Sequence, residues 1–196
     1  MDLTTLSFAM GSAWLSGINL YATVATLGLL ERFRFVRLPG DLSYLSHPWV
    51  IGVALGLFAV EFLADKIPAI DSVWDFVHTF IRIPAGAVLA ASAFAHFDPK
   101  IRLLAFLLGG TLALSSHGAK AATRLAANTS PEPFSNIALS FMEDFIAVGF
   151  SVLMAKHPMV VAVLAIIGFV LSLILIRFVW RALRRLFRRG TAVAPA

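Results

Sequence analysis

Acidic residues interrupt the long apolar stretches of this chain. Glu61 and Asp65 end one stretch, and the adjacent pair Glu143 and Asp144 lies within another. A charged side chain at the centre of a membrane helix costs about 2.5 to 3.5 kcal/mol on insertion scales, so such groups usually face a partner or a wet cavity. Crowded carboxyl groups also favour uptake of a proton, because like charges repel each other. These acids therefore predict a proton or cation site within the membrane.

Basic and polar residues recur where they could meet the second acidic pair. His117, Lys120 and Arg124 follow at helical spacing on one face of a later apolar segment, with Asn128 one turn further. Asn19 belongs to a polar seam of the first apolar segment. At 1.5 Å of rise per residue, Asn19, His117 and Lys120 come within about one helical turn of the depth of the acidic pair. We predict that they form an inner polar layer, while Arg124 and Asn128 reach the inner interface.

The roles predicted for these residues are those of a coupled transport site. Glu143 or Asp144 would be the titrating carboxylate, and Asn19 would orient the substrate. The predicted coupling residues are Glu143, Asp144, Glu61 and Asp65. The predicted substrate-binding residues are Asn19, His117, Lys120 and Arg124. The alternative is a buried salt-bridge network that only fixes the register of the helices.

A second acidic group is expected toward the outer end of the bundle. Asp71, Asp75, His78 and Arg82 fall at steps of four, three and four, which is one stripe of a helix. With Glu61 and Asp65, the residues Asp71, Asp75 and His78 would form an outer vestibule. Two polar layers at different depths suit an alternating-access transporter. Alternatively, Lys66 and Arg82 simply neutralise these acids.

Enzyme chemistry has little support in the motifs. Asp71, Asp75 and His78 have ligand types at helical spacing, but a fourth ligand is missing, so we predict no metal site and no cofactor. The chain has no cysteine, which excludes disulfides and thiolate chemistry. No serine elbow, phosphate loop or dinucleotide motif occurs. A metal-dependent lipid-headgroup enzyme using the Asp71 stripe is kept as the less favoured alternative.

The elements that must position these residues are membrane helices. Of 196 residues, 59% are hydrophobic and only 14% are charged. About 20 apolar residues are needed to cross a bilayer, so the chain predicts an all-α, polytopic transmembrane bundle. Residues 1–185 would form one integral-membrane domain, and residues 186–196 a basic, then flexible, cytoplasmic tail. The apolar segments are residues 5–30, 48–64, 84–97, 103–124, 136–155 and 158–178.

One of the six segments is too short to cross. Residues 84–97 span only about 21 Å as a helix. We predict that residues 68–83 and 84–97 are the two arms of a re-entrant or interfacial hairpin, which leaves five full spans; six spans is the alternative. Five spans also place the arginines after the first segment and those after the last on the cytoplasmic side. The amino terminus would then lie outside and the carboxy terminus in the cytoplasm.

The basic residues point to membrane lipid as a partner. The formal charge is +5, but six arginines directly follow the last apolar segment, where they would contact anionic headgroups. We therefore expect no nucleic-acid partner. The apolar last segment makes a homo-oligomer possible. The first segment follows Asp2 without a basic region, so we expect it to be retained and not cleaved as a signal peptide.

Several strings together resemble a known family. They are Gly17-Ile-Asn-Leu-Tyr21, Glu61-Phe-Leu-Ala-Asp-Lys-Ile-Pro-Ala-Ile-Asp-Ser-Val-Trp-Asp75, His117-Gly-Ala-Lys120, Asn128-Thr-Ser130 and Ser140-Phe-Met-Glu-Asp144. They are similar to bacterial multi-pass membrane proteins catalogued as domain of unknown function 4126. The resemblance covers roughly residues 10–185 and implies an integral membrane protein, without an established activity to carry over. The tract Ser130-Pro-Glu-Pro133 departs from the glycine-richer family pattern.

The function predicted from the sequence is a small inner-membrane transporter or permease. It would be coupled to protons or a cation, and its substrate would be a small solute or lipid headgroup with an anionic group. The competing hypothesis is a structural or accessory membrane protein in which the polar layers only hold helices together.

Overall fold

The computed structural model describes residues 2–127 and 134–190, and within these ranges all regular structure is helical. The fold is an all-α bundle of six α-helices and one 3-10 helix, Gly40–Ser46. The α-helices are α1 (Leu3–Arg32), α2 (Pro48–Ala64), α3 (Pro68–Ala93), α4 (Pro99–Ala127), α5 (Phe134–Lys156) and α6 (Pro158–Gly190). Four of them begin at a proline, whose missing N–H is not needed in the first turn.

Five helical segments are long and apolar enough to cross a membrane. They are α1, α4, α5, residues 73–93 of α3 and residues 158–182 of α6. A sixth is possible if the 3-10 helix and α2, which are bent by 71° relative to each other, form one span. The chain is therefore a multi-pass membrane protein by the length and composition of its helices. The predicted number of spans, five with six as the alternative, agrees with this finding.

The predicted hairpin over residues 68–97 is wrong. Residues Pro68–Ala93 form one continuous helix of 26 residues that contains Pro84. Proline is tolerated inside membrane helices because neighbouring helices satisfy the backbone group that it frees. Close packing holds this part of α3 against α1 and α4, since a Cβ added to Gly86 would contact Ser16 Oγ at 2.8 Å and the Cβ of Ala113. The apolar residues on both sides of Pro84 thus belong to a single span.

α1 is the central helix, and it is broken at Asn19. It contacts all five other α-helices. Asn19 has non-helical backbone angles (φ −145°, ψ 101°), and its Oδ1 accepts a hydrogen bond from the N–H of Ala22 at 2.9 Å. An asparagine that accepts from the third residue after it is a typical N-cap. Asn19 therefore ends one half-helix and starts another in the middle of the bundle.

The break turns α1 back on itself. Leu6 lines a cavity together with Phe94, just after α3. Beyond the other end of α1, Gly40 lies against the carbonyl groups of Ser92 and Ala93, at the end of α3. The Leu38 N–H, close to Gly40, donates to Glu31 Oε2 at 2.5 Å, which ties the last turn of α1 to the same region. A straight helix of 30 residues would be about 45 Å long, so both ends could not approach α3 in this way.

This arrangement contradicts the expectation that both arginine groups lie on one side. Ser7 Oγ contacts Met159 Sδ at 3.3 Å, so α6 begins at the same end of the bundle as α1 and the 3-10 helix. α6 then runs past Trp14, which lies against Gly168, and past Gly118, which lies against Ile176. The arginines that follow α1 and those near the end of α6 consequently lie at opposite ends. The expectation that five spans place both arginine groups on the cytoplasmic side was wrong, because it required α1 to cross as a straight helix.

Candidate functional site

Ten ionisable side chains from four parts of the chain meet in the interior. We call this group the buried charge cluster, and each member is at most 8% exposed. Its members are Glu61, Asp65, Asp71, Asp75, Arg82, His117, Lys120, Arg124, Glu143 and Asp144. They are supplied by the end of α2, by α3, by α4 and by α5. Burying so many charges is costly unless they pair with one another, which makes their contacts decisive.

Lys120 lies at the centre of the cluster. Its Nζ is 3.5 Å from carboxylate oxygens of Glu61, Asp65 and Asp75, and 3.3 Å from Glu143 Oε2. Charge-assisted N–H···O bonds are usually about 2.7 to 2.9 Å long. Lys120 is thus surrounded by four acids without a short bond to any of them.

Arg124 makes a tighter contact. Its Nη2 and Nε donate to the two carboxylate oxygens of Glu143 at 2.6 and 3.2 Å, a bidentate pair. Its Nη1 donates to the backbone carbonyls of Asn136 and Asp65. The guanidinium group also lies 3.7 Å from Asp71 Oδ2. Arg124 therefore joins α4 to α5 and to the segment between α2 and α3.

Arg82 connects the acids to His117. Its guanidinium group forms a short ion pair with Glu61 and donates to Asp75 Oδ1 at 3.0 Å. Its Nη1 also lies 3.2 Å from His117 Nδ1, while Thr79 Oγ1 is 2.7 Å from His117 Nε2. A guanidinium group can only donate, so His117 Nδ1 must accept. The ring is therefore the neutral Nε2–H tautomer, with its proton donated to Thr79.

His78 forms its hydrogen bonds with residues outside the cluster. Its Nδ1 lies 2.8 Å from the Trp74 carbonyl and its Nε2 lies 2.9 Å from the Tyr21 hydroxyl. Because a carbonyl only accepts, Nδ1 carries a proton. Both ring nitrogens are thus engaged by the protein. In the described part of the chain, no three His, Asp or Glu side chains are arranged to hold a metal ion.

Asp144 is held by the helix break and not by a cation. Its Oδ1 accepts a hydrogen bond from Asn19 Nδ2 at 2.9 Å. It makes no salt bridge with any described residue, in contrast to its neighbour Glu143. The same Asn19 side chain caps the second half of α1. Asp144 therefore lies at the point where a half-helix begins, and the N-terminal end of a helix carries partial positive charge.

The cluster contains more acid than base. Six carboxyl groups are present, whereas the permanent cations are Arg82, Lys120 and Arg124, because His117 is neutral. Several buried carboxylate oxygens accept no hydrogen bond from the described residues: Glu61 Oε2, Asp65 Oδ1, both oxygens of Asp71 and Asp144 Oδ2. An unpaired buried carboxylate is strongly unfavourable, so such oxygens favour a proton or a cation.

Lys66, which the sequence allowed as a balancing charge, forms no salt bridge with these acids in the described part of the chain. Its ammonium group lies 3.2 Å from the centre of the Phe62 ring and donates to the Phe62 carbonyl at 2.8 Å. It also reaches Ser140 Oγ at 3.3 Å. Burial lowers the pKa of Lys66. Of the two basic residues proposed as balancing charges, Arg82 pairs with the acids and Lys66 does not.

The predicted division into two polar layers is wrong. Lys120, assigned to the inner layer, lies beside Glu61, Asp65 and Asp75, which were assigned to the outer vestibule. The reason is that α3 is one continuous helix, so Asp75 and Arg82 lie alongside α4. The structure brings together every predicted site residue except His78, which contacts Tyr21. Asn128 lies outside the described residues.

Sequence reasoning missed three participants. Arg82 appeared only as a balancing charge, yet it contacts two acids and a histidine. Thr79 and Tyr21 were not singled out as partners of the two histidines. The sequence does contain a signal for Arg82. It lies seven residues after Asp75, about two helical turns, which places both residues on the same stripe of the helix. Nothing in the spacing of Thr79 or Tyr21 indicates its partner.

An apolar cavity of about 400 Å³ lies elsewhere in the bundle. It is lined by side chains of α1, α3, α4 and α6, and by Phe94. No member of the buried charge cluster lines it. The polar site and this cavity are therefore separate features of the fold.

Comparison with curated proteins and with solved structures returns no match. A family model does match, over residues 6–180, and it covers both arms of the broken α1 and all members of the buried charge cluster. Nearly the whole described chain is thus accounted for by one family. The chain belongs to the family described as a domain of unknown function, DUF4126.

Proposed function

We propose that this protein is a small permease that couples the movement of a proton or monovalent cation to that of a solute or lipid headgroup carrying an anionic group. The observation that carries the proposal is the composition of the buried charge cluster, in which six carboxyl groups face three permanent cations. A purely structural network would be expected to balance its charges, because each unpaired buried ion is costly. Membrane proteins that carry such groups in their interior use them as ion pathways or proton relays.

Asp144 is the exchangeable carboxyl group of this proposal. Its only described polar partner is the Asn19 amide, and its second oxygen is unpaired. Neutralising Asp144 with a proton or a cation breaks no salt bridge. Glu143, by contrast, is bound to Arg124 by two hydrogen bonds, so a change in its charge would disturb the contact between α4 and α5.

The broken helix supports the same assignment. Discontinuous helices in secondary transporters place half-helix ends at the substrate and ion sites. Here the half-helix that begins at Asn19 has its N-terminal end beside Asp144, the carboxyl group that would bind and release the proton or cation. The side chains around it are almost fully buried, so the described conformation is closed to water.

Lys120 is the group that would bind the anion. Its four carboxylate partners are 3.3 to 3.5 Å away, too far for strong hydrogen bonds. Asp144 is adjacent in sequence to Glu143, one of these partners, so neutralising Asp144 would make the surroundings of Lys120 less negative and favour binding of an anionic group of the substrate. Binding of the cation and of the anion would then depend on each other, which is the requirement for coupling.

Proteoliposome uptake tests the proposal. Purified protein would be given a panel of small anionic solutes under an imposed pH or sodium gradient. We expect the wild-type protein to accumulate at least one solute only when a gradient is present. Asp144→Asn should lose gradient-driven accumulation at least tenfold but retain solute exchange without a gradient.

Asp98→Asn is the matched control. Asp98 is an exposed acid whose carboxylate caps α4 by accepting from the Lys100 N–H, and asparagine can do the same. Accumulation by this variant should equal that of the wild type. Unchanged gradient-driven accumulation by Asp144→Asn would overturn the coupling role of Asp144. Failure of the wild-type protein to move any solute would favour the structural alternative.

The alternative, a structural or accessory membrane protein, is favoured by one specific contact. The bidentate Arg124–Glu143 pair joins two helices and needs no ligand. In that case Asp144→Asn should lower the melting temperature in detergent as strongly as Glu143→Gln. Of these two variants, the permease proposal predicts a large loss for Glu143→Gln alone, because Glu143 pairs with Arg124 and Asp144 does not.

A further inference from the structure

The segment after α1 carries a basic cavity that the proposed function does not use. The cavity has a volume of about 700 Å³ and is open to the surface. It is lined by Arg32, Arg34 and Arg37, with Glu31, Val36 and Ser46. The three arginines are exposed, and none of them forms a salt bridge with another residue in the described ranges. Three guanidinium groups and a single carboxylate therefore surround one cavity.

The carboxylate in the cavity serves the backbone. Glu31 Oε2 accepts a hydrogen bond from the N–H of Leu38, a residue that is itself buried. This bond closes the loop between α1 and the 3-10 helix. It fixes the loop that carries Arg34 and Arg37 close to Arg32, the last residue of α1, so that all three line the cavity.

Arg34 adopts a backbone conformation that arginine disfavours. Its φ is 61°, and it is the one described non-glycine residue with positive φ. The Phe35 N–H donates to the Leu30 carbonyl and the Arg34 N–H to the Glu31 carbonyl, both at 2.9 Å. This is the Schellman pattern that ends a helix, and Arg34 occupies the left-handed position where glycine is usual. A side chain that costs stability and contacts no acid indicates a role outside folding.

Aromatic side chains flank the arginines. Phe33 and Phe35 alternate with them and are 65% and 73% exposed. Tyr44 and Trp49, in and after the 3-10 helix, are also largely exposed. Aromatic and basic residues together mark the level of lipid headgroups in membrane proteins. The apolar rings would enter the acyl region while the guanidinium groups stay at the phosphate.

We propose that this cavity binds the phosphate group of an anionic phospholipid. Guanidinium groups bind phosphate oxygens in bidentate fashion, and the three arginines outnumber the single acid Glu31, which leaves positive charge for an anionic phosphodiester. The exposed phenylalanines favour a lipid over a free anion, because a soluble phosphate would gain nothing from them. The site is independent of the buried charge cluster, with which it shares no residue.

Lipid titration of the purified full-length protein in detergent tests this site. The probes are dioctanoyl phosphatidylglycerol, dioctanoyl phosphatidylcholine and inorganic phosphate, and the readout is the melting temperature. We expect the anionic lipid to raise the melting temperature of the wild type and the other two probes to leave it unchanged. Arg34→Gly should start from a melting temperature about 2 to 4 °C higher, because glycine relieves the positive φ. It should lose at least half of the lipid-induced increase.

Two further variants keep the test decisive. Arg37→Gln removes a charge from the cavity without changing the backbone, and it should also weaken the response. Arg102→Gln removes an equally exposed arginine from α4 and should respond as the wild type does. A full response by both Arg34→Gly and Arg37→Gln would overturn the site, and an equal loss in Arg102→Gln would show unspecific attraction. An equal increase in the melting temperature with inorganic phosphate would show a site for free anions and overturn the lipid proposal. An equal increase with phosphatidylcholine would show that the site does not distinguish anionic from zwitterionic lipids, which would also overturn it.

Discussion

At the scale of single residues, the buried cations Arg124 and Lys120 have different tasks. Arg124 makes short, bidentate contacts with Glu143 and also binds two backbone carbonyls. Lys120 is surrounded by acids at longer distances. The planar guanidinium group suits fixed geometry, whereas an ammonium group on a flexible stem can change partners. We therefore regard Arg124 as the structural connection, and in the proposed function Lys120 is the group that would change partners.

Removing the Arg124 guanidinium should be strongly destabilising. Arg124→Gln would remove the bidentate partner of Glu143 and the cation beside Asp71, and breaking a buried ion pair typically costs about 3 to 5 kcal/mol. We expect a clear fall in the melting temperature and in resistance to unfolding by SDS. The double variant Arg124→Met with Glu143→Leu should recover part of the loss, because the carboxylate that Arg124 bound most closely is removed with it. Arg102→Gln, at an exposed position, should change stability by less than about 0.5 kcal/mol. Equal stability of Arg124→Gln and the wild type would contradict this role.

The tautomer of His117 can be measured directly. Because Arg82 can only donate to Nδ1, the proton of the neutral ring must be on Nε2. Nitrogen-15 NMR of labelled protein should show a protonated Nε2 and an unprotonated Nδ1 at neutral pH. In Arg82→Gln this constraint is lost, and the spectrum should change. Finding His117 as the Nδ1–H tautomer in the wild type would exclude the Arg82 contact.

At the scale of elements, the packing of α1 decides where the site lies. Gly17, two residues before the break, lies against α4. A Cβ at Gly17 would collide with Ser116 Oγ and the Ala113 carbonyl and would come within 3.0 Å of the His117 backbone N. Small residues let membrane helices approach this closely. The contact holds the break at Asn19 close to the part of α4 that supplies His117 to the buried charge cluster.

Gly17→Ala should therefore destabilise the bundle. Overpacking of a tight interface typically costs about 1 to 3 kcal/mol, and the colliding atoms are mainly backbone. We expect this variant to have a lower melting temperature in detergent than the wild type. Gly52→Ala is the control, because a Cβ at Gly52 would meet nothing within 4 Å. That variant should be as stable as the wild type or slightly more so, since alanine favours a helix. The prediction fails if both variants melt alike.

At the scale of the whole molecule, the bent α1 changes the expected topology. Both ends of α1, the 3-10 helix and the end of α3 lie at one end of the bundle. In this arrangement the two halves of α1 enter and leave the bundle at the same end, so α1 is not a straight crossing. The amino terminus and carboxy terminus then lie on opposite sides, and the carboxy-terminal arginines remain the strongest signal for the cytoplasmic side.

Cysteine labelling can test this topology, because the chain has no native cysteine. Single cysteines would replace Phe35, Asp98 and Ala182, which are exposed. In inverted and right-side-out vesicles, a membrane-impermeant maleimide should label positions 35 and 98 from the same side and position 182 from the other. A straight α1 would place positions 35 and 98 on opposite sides. Such a result would contradict the bent arrangement.

Much of this protein follows from composition and periodicity. Long apolar segments must be helical in a bilayer, since every backbone polar group has to be satisfied within the segment. The cost of burying charge identifies Glu61, Asp65, Glu143 and Asp144 as interior groups before any coordinates are known. The depth estimate that grouped Asn19, His117 and Lys120 with the second acidic pair needed only the helical rise. Local rules were sufficient for these conclusions.

Other features depended on contacts between distant residues. Neighbouring helices decide two of these features by packing against them. They are the position of Pro84 inside a continuous α3 and the break of α1 at Asn19, and no local propensity encodes either of them. The union of two predicted layers into one cluster follows from that packing. Likewise, Asp144 and Glu143 are adjacent in sequence, yet they point to different partners: one to the amide of Asn19, the other to Arg124. The sequence determined which groups must be buried, whereas only the tertiary structure decided which of them are paired, because pairing depends on positions in space and not on spacing along the chain.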